Sequence, residues 1–525
     1  MSLLALPAEL LEKIVTCVTP FYGTSCHPAI RLTCRKLCDV ATPFVFERFY
    51  IDLTKMEKEK SHAIHFLKEL SQGRRLGRFI RALYFRTSSG GHKSNLSGFW
   101  DALSLLKNGE TFFETISKLI LAAVLQMQAL KEFHWQKPSR AEMFSKIIGQ
   151  TIDSLSKSPH LCFVSISAYE IKKDIPCAPF HGLTHLTIDG NGTLDYAPAI
   201  IANSPNLFRL KVIIYRHDRP SQFPVLSLFG KFPEGTYSSV QQVILSGNYL
   251  SMETSTVPSL IPHLRNLSDF HIPVGFNVPD AFWNALLDAN VFLRSVTSSR
   301  LELQDSFLNY LRCYDRLEEV HLRLGRRSSY DVQDGRAQFF LRNIIPINSL
   351  SLTVVVVKPA YAGYWCFDVP MLEALLLCAN LVYIGMSVDG ERAQVEYCNN
   401  VITKLLKNLH RWHHLETLDI GAVIPIDTRF RAPIPANKSP MREVCTSIMC
   451  CVSDFQCRRP TRQMLKLQIH TDFAFSLHLR ESVSKSKIYH FCRLRLSEEA
   501  KRAMKMTKDH EEAERISNLT ILNIL

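Results

Sequence analysis

Hydrophobic residues recur along most of this chain in a six-residue phrase, apolar-x-x-apolar-x-apolar. It reads IRALYF from residue 80, LKEFHW from 130, LCFVSI from 161, LTHLTI from 183, LFRLKV from 207, VQQVIL from 240 and LSDFHI from 267. It continues as LEEVHL from 317, INSLSL from 347, LVYIGM from 381, LETLDI from 415, MLKLQI from 464 and FCRLRL from 491, with a weaker copy, LRSVTS, from 293. The alternation that closes each phrase is strand patterning. From 161 to 415 successive starts lie 22 to 34 residues apart, a spacing that random clustering of apolar residues does not keep. Stretches with helical spacing fill the intervals, among them APAIIANSPN (197–206), DAFWNALLDAN (280–290), DSFLNYLRCYD (305–315) and VITKLLKNLHRWHH (401–414). The pattern predicts an α/β chain that repeats one strand and one helix.

One strand and one helix per two to three dozen residues is the layout of leucine-rich repeats, and the array resembles an irregular solenoid of that class. The resemblance implies parallel strands on a concave face and helices on a convex one. Two copies, VQQVILSGNYL (240–250) and LTHLTIDGNGTL (183–194), extend toward the asparagine of that repeat. Counting from the apolar residue that opens each copy, the fourth and sixth positions turn inward and the third, fifth and seventh outward. The fifth position reads His134, Ser165, Thr187, Lys211, Ile244, His271, His321, Ser351, Gly385, Asp419, Gln468 and Arg495. From this row His134, Thr187, Lys211, Ile244, His271, His321, Ser351 and Asp419 are the candidate contacts for a protein target of unknown identity. The row carries no single-sign stripe, which argues against a polyanion and for a protein or peptide surface. A solvated sheet face without a ligand is the plain alternative.

The first fifty residues follow a different pattern. Pro7 suits the first turn of a helix, and Glu9 meets the positive end of its dipole. Leu10, Leu11, Ile14, Val15 and Val18 form a helical stripe, which TPFYG is expected to break. Ile30, Cys34, Leu37, Cys38 and Ala41 mark a second helix, with Leu32 off its face. Thr42–Pro43 is expected to end that helix, leaving FVFERFYIDL (44–53) as an aromatic exit. Two short helices enclose too little core to stand alone, so they need a neighbour.

Leu6-Pro7, Glu9-Leu10-Leu11, Leu32-Thr33-Cys34-Arg35 and Pro43-Phe44 resemble the F-box, the helical module by which F-box proteins dock on the Skp-type adaptor of cullin–RING ubiquitin ligases. The connection TPFYGTSCHPA departs from the family, being longer than usual and lacking its Asp-Leu phrase. The resemblance implies that Leu6, Pro7, Leu10, Leu11, Ile14, Leu32, Arg35, Leu37 and Phe44 form the module or face the adaptor. It also implies a non-catalytic substrate receptor, linked through the adaptor to a cullin scaffold, in the layout of the large fungal F-box families. The competing reading is a leucine-rich-repeat scaffold without a ubiquitin-ligase role, its N-terminal helices capping the array. Residues 1–51 are expected to form the helical module, 52–77 a helical linker and 78–496 the repeat array. Residues 497–525 read as a charged helix and an apolar tail that caps it.

Composition narrows the chemistry. The 525 residues carry 62 Lys and Arg against 49 Asp and Glu, a formal charge of +13, spread along the chain apart from GRRLGRFIR (73–81) and CRRPTR (457–462). Without a concentrated basic patch, this argues against nucleic acid. The 15 cysteines include no CxxC pair, and CTSIMCCVSDFQC (445–457) lacks the spacing of zinc modules. They read as buried, reduced thiols, which points to the cytoplasm or nucleus. His410, His413 and His414 could share a helix face, but a cationic helix C-terminus explains them without a metal. RAPIPANKSPM (431–441), with its three prolines, reads as an extended loop. No phosphate-binding glycine loop or nucleophile elbow is present, so no cofactor and no catalytic residue is expected. The N-terminus lacks a basic signal-peptide region, LILAAVLQMQAL (119–130) is too short to span a bilayer, and MLEALLLCANLVYIGM (371–386) is interrupted by Glu373 and Asn380; no membrane role is expected.

Overall fold

The computed structural model describes residues 6–22, 26–52, 60–73, 76–86, 118–136, 151–167, 180–190, 194–214, 222–247, 249–272, 276–299, 303–324, 330–359, 361, 363–389, 400–423, 465–470 and 474–479. The expected tail at 497–525, the cysteine group at 445–457, the proline loop at 431–441, the copy at 491 with Arg495, and the repeat asparagines Asn191 and Asn248 lie outside the described residues. The chain divides into two compact units, Met1–Gln241 with Pro262–Leu264, and Gln242–Ile261 with Arg265–Leu525.

The first unit opens with three helices rather than the two expected: α1 (Ala8–Tyr22), α2 (Cys26–Arg31) and α3 (Arg35–Val45). The break falls at Leu32–Cys34, inside the stripe that the periodicity assigned to one helix. Cys34 takes an extended backbone there, and its Sγ accepts the Leu37 N–H at the start of α3. α1 ends within TPFYG as expected, at Tyr22, though it carries Pro20 inside it. The expected stop at Thr42–Pro43 does not hold, since α3 runs through Pro43 to Val45. The Phe46 N–H still reaches the Thr42 carbonyl, and the Thr42 hydroxyl donates to Cys38 C=O. Proline removes one donor and crowds the preceding turn, a cost that packing offsets here.

FVFERFYIDL is a second correction. Its first two residues finish α3, and Arg48–Asp52 form the first strand, β1. The expected module boundary at 51 thus falls within a strand of the sheet. The segment FERFYI, from Phe46, obeys the same six-residue pattern as the later copies. Phe66 of α4 (Lys60–Ser71) packs on both Phe46 and Phe49, at 5.8 and 5.0 Å between ring centroids, tying the helical start to the repeats.

Parallel strands β1, β2 (Ala82–Arg86), β3 (Glu132–Gln136), β4 (Phe163–Ser167), β5 (His185–Asp189) and β6 (Arg209–Ile213) follow one another in register. One device sets that register. The carbonyl just before each strand accepts two successive N–H groups of the next repeat: Glu47 from Arg81 and Ala82, Arg81 from Lys131 and Glu132, and onward to Thr184 from Phe208 and Arg209. The inward side chains, including Phe133, Trp135, Val164, Ile166, Leu186 and Ile188, are buried.

The second unit repeats the device from Ser268 to Val382. Its strands are β7 (Gln242–Ser246), β8 (Asp269–Ile272), β9 (Ser295–Ser299), β10 (Glu319–Leu324), β11 (Val354–Pro359), β12 (Tyr383–Asp389), β13 (Thr417–Val423) and β14 (Leu465–His470), all parallel to their neighbours. An antiparallel β15 (Ala474–Leu479) pairs with β14. The expected helices appear at Asp280–Asp288, Asp305–Arg312 and Val401–Lys407. Trp283 from the first of these packs on Phe307 and Tyr310 of the second, at 4.7 and 5.6 Å. Each unit is therefore a leucine-rich-repeat-like stack of strands backed by helices.

One copy is out of phase with its prediction. INSLSL from 347 is not a strand; β11 begins at Val354, and the phrase that follows the repeat rule is LTVVVV from Leu352. Ile347 ends a helix and Leu350 sits in the turn after it, with Leu350 82% exposed. Asn348 explains the turn. Fully buried, it accepts the Leu317 N–H through Oδ1 and donates through Nδ2 to Ile344 C=O, both at 3.0 Å.

Candidate functional site

In the helical module the predicted set separates into two groups. Leu11 is fully buried, with Val15 and Ala41, in the contact between helices, so it is not available to a partner as expected. Leu10 (44% exposed), Ile14 (38%) and Leu32 (84%) face solvent, as do Pro7 and Arg35. Leu6, Leu37 and Phe44 are half-buried. The geometry follows from helical spacing: Leu11 and Val15 share the inner stripe, Leu10 and Ile14 the outer one. Pro7 C=O accepts the Leu10 and Leu11 N–H groups, and the Leu6 carbonyl accepts Lys36 Nζ at 2.8 Å, which ties the entry of α1 to α3.

In the first unit the outward fifth-position row is Tyr50, Tyr84, His134, Ser165, Thr187 and Lys211, each opposite the next across paired strands. His134, Thr187 and Lys211 thus fall in one line, half-exposed. The two tyrosines were missed, although IRALYF and FERFYI both carry the pattern that marks them. Their rings begin a ladder. Tyr50 stacks on Tyr84 at 4.6 Å and Tyr84 on His134 at 4.3 Å; His134 meets Phe163 tilted at 4.7 Å, and Phe163 stacks on His185 at 5.8 Å. His134 Nε2 lies 3.4 Å from Glu132. Burial and the Arg209 charge pull the His185 imidazole below its usual range.

The second unit's row is Ile244, His271, Thr297, His321, Val356, Gly385, Asp419 and Gln468. Ile244 is buried, whereas His271 and His321 are half-exposed. Ser351 is not in the row. It lies before β11, where its hydroxyl donates to Leu317 C=O at 2.8 Å, and Val356 takes its place because the strand starts at Val354. Asp419 is in the row but only 3% exposed. Lys358 Nζ at 2.6 Å and the Tyr383 hydroxyl at 2.7 Å both reach its Oδ2. Gly385 stands opposite Asp419 and makes this possible: a Cβ there would meet the Tyr383 ring at 3.0 Å and Val356 at 3.1 Å. Burial and the Asp419 hydrogen bond push the Tyr383 phenol up.

His321 is pulled down to about 4 by burial first, then by the positive charges of His271 and Arg323. Glu319 Oε2 lies 4.0 Å from the His321 Nε2. The seventh-position residues Arg323 and Lys358 pair across β10 and β11, and the sequence reading gave them no weight. Their signal was available, since the seventh position faces the same side as the fifth. The three histidines near 410 do not share a helix face: the helix ends at Lys407, a 3-10 turn follows, and His410 Nδ1 meets Lys407 C=O at 2.9 Å. Among the described residues no group of His, Cys, Asp and Glu is arranged to hold a metal ion, and no helix is long and apolar enough to cross a membrane.

The sequence matches no family model and no curated protein. Among solved structures, the Rad7 and Elc1 complex in yeast aligns at a TM-score of 0.35 and 14% identity, covering 82% of this chain and 96% of the other. The Toll–Spatzle complex of Drosophila aligns at 0.32 and 11%, covering 80% and 54%. A Bacteroides fragilis protein aligns at 0.20 and 11%, covering 73% and 70%. Likenesses this distant carry no argument about function.

Proposed function

We propose that this protein is a substrate-recognition subunit of a Skp–cullin–F-box type ubiquitin ligase, docking on the adaptor through its N-terminal helices and holding a protein target on the outward face of its repeats. The observation that carries the reading is the divided apolar surface of the module. Leu11, Val15 and Ala41 close its own small core, while Leu10, Ile14 and Leu32 remain in solvent. Three large apolar side chains exposed beside the Leu-Pro and Cys-Arg phrases suit a partner's groove. In this role the chain performs no bond chemistry. It contributes proximity, bringing a bound target near the charged ubiquitin carrier.

Co-purification of the full chain with a Skp-type adaptor tests the reading. Capture by the wild type, and its loss in Leu10→Ala/Ile14→Ala/Leu32→Ala at unchanged melting temperature, is the expected result. No capture by the wild type sinks the ligase role and leaves a repeat scaffold.

A further inference from the structure

On the second unit, one strand presents an acid, an imidazole and a base in line. Glu319, His321 and Arg323 occupy the outward third, fifth and seventh positions of β10, spaced by about 6.6 Å. The neighbours extend this into borders. Asp269 of β8 stands at the third position beside Glu319's row, His271 and Thr297 continue the central row, and Ser295 of β9 lies between Asp269 and Glu319 in register. Arg323 is exposed and has no ion pair among the described residues. Glu319 keeps 44% of its side chain in solvent. One border of the face is therefore net anionic, Asp269 and Glu319 lying within electrostatic reach of Arg294, which is itself bonded to Glu318; the other border carries the Arg323 cation, and the centre holds half-exposed imidazoles.

An extended chain laid along the central row points successive side chains to opposite borders. We propose that this face binds an extended peptide segment of alternating charge, with basic side chains toward Asp269 and Glu319 and acidic side chains toward Arg323. The inference deepens the receptor reading, since it rests on the outward repeat face being where the target is held. Complementary charge fixes the register and suppresses wrong partners more than it adds raw affinity. A uniformly acidic or basic segment would meet one repelling border, so a blocked charge order is rejected where an alternating one fits.

Fluorescence anisotropy on the full chain, with a labelled alternating glutamate–lysine octapeptide and its block isomer of four glutamates then four lysines, tests this. The alternating peptide should bind at least tenfold tighter, about 1.4 kcal/mol. Arg323→Glu and Glu319→Lys should each weaken it about tenfold. The combined Asp269→Lys/Glu319→Lys/Arg323→Glu variant, which reverses both borders, should restore binding, because an alternating chain shifts its register by one residue. Equal affinity of the two isomers, no saturable binding by either, or failure of this full swap to restore it in a protein that melts normally would overturn the proposal. Adaptor capture, measured on the same variants, should not change; its absence counts against the docking role alone.

Discussion

Replacing Lys358 by Met should destabilise the second unit by about 3 kcal/mol, within the range for breaking a buried ion pair. Asp419 has a side chain 4% exposed and Lys358 one 20% exposed, so water cannot take over when the ammonium is removed. The carboxylate would keep the Tyr383 hydroxyl, worth about 1.5–3 kcal/mol for a hydrogen bond to a charged group, which holds the loss at the lower end. Removing both charges in Lys358→Met/Asp419→Leu leaves no stranded carboxylate, and that variant should lie within about 1 kcal/mol of wild type. The cycle then gives a coupling of roughly 2 kcal/mol or more. Urea unfolding followed by tryptophan fluorescence is the assay, since Trp283, Trp365 and Trp412 are all buried in this unit. A single variant that costs less than about 0.5 kcal/mol would place the pair with exposed surface bridges and refute the reasoning. Gly385→Val should also destabilise this unit, because the added carbons would meet the Tyr383 ring and Val356 and displace the Tyr383 hydroxyl from Asp419.

Three further outcomes separate core from surface. Leu11→Ala should cost about 2–5 kcal/mol in the melting of the N-terminal module, whereas Leu32→Ala should change it by under about 0.5. Asn348→Ala should lower the urea midpoint by an amount equivalent to about 1–3 kcal/mol, since it leaves the buried Leu317 N–H without its acceptor, while Ile344 C=O keeps the backbone N–H of residue 348. For His321, the folded value of about 4 lies below the unfolded 6.5, so the unfolded chain binds the proton first. Stability should be full above about pH 6.5 and fall as pH drops toward 4; with a third of the side chain in solvent, about 1–2 kcal/mol is expected. His185 and His263, also lowered by burial, act in the same direction. His321→Gln should flatten this pH dependence of the urea midpoint by its share, and an unchanged slope would exclude the assignment.

The repeats were legible because their signal is local. A buried apolar residue opens the strands from Ile80 and Leu130 to Leu381 and Leu415, and burial selects residue type position by position. Alternation then placed His134, Thr187 and Lys211, and likewise His271 and His321, on common rows without any structure. The same signal ran through FERFYI and was hidden by the helix before it, which is how Tyr50 and the first strand escaped notice. It misled at INSLSLTVVVV, where the six-residue pattern matches at Ile347 and again at Leu352. Asn348, buried between Leu317 and Ile344, decides which match is the strand.

Other features were set only by tertiary contacts. Periodicity made Leu10 and Leu11 equal members of one stripe, yet packing against α3 buries one and leaves the other in water. Asp419 faces outward by alternation but is enclosed by Lys358, two strands away, and by Tyr383 across a glycine. A sequence states which way a side chain leaves its own strand. What then covers it depends on the lengths of side chains rooted in other repeats, and that is decided only when the strands stand side by side.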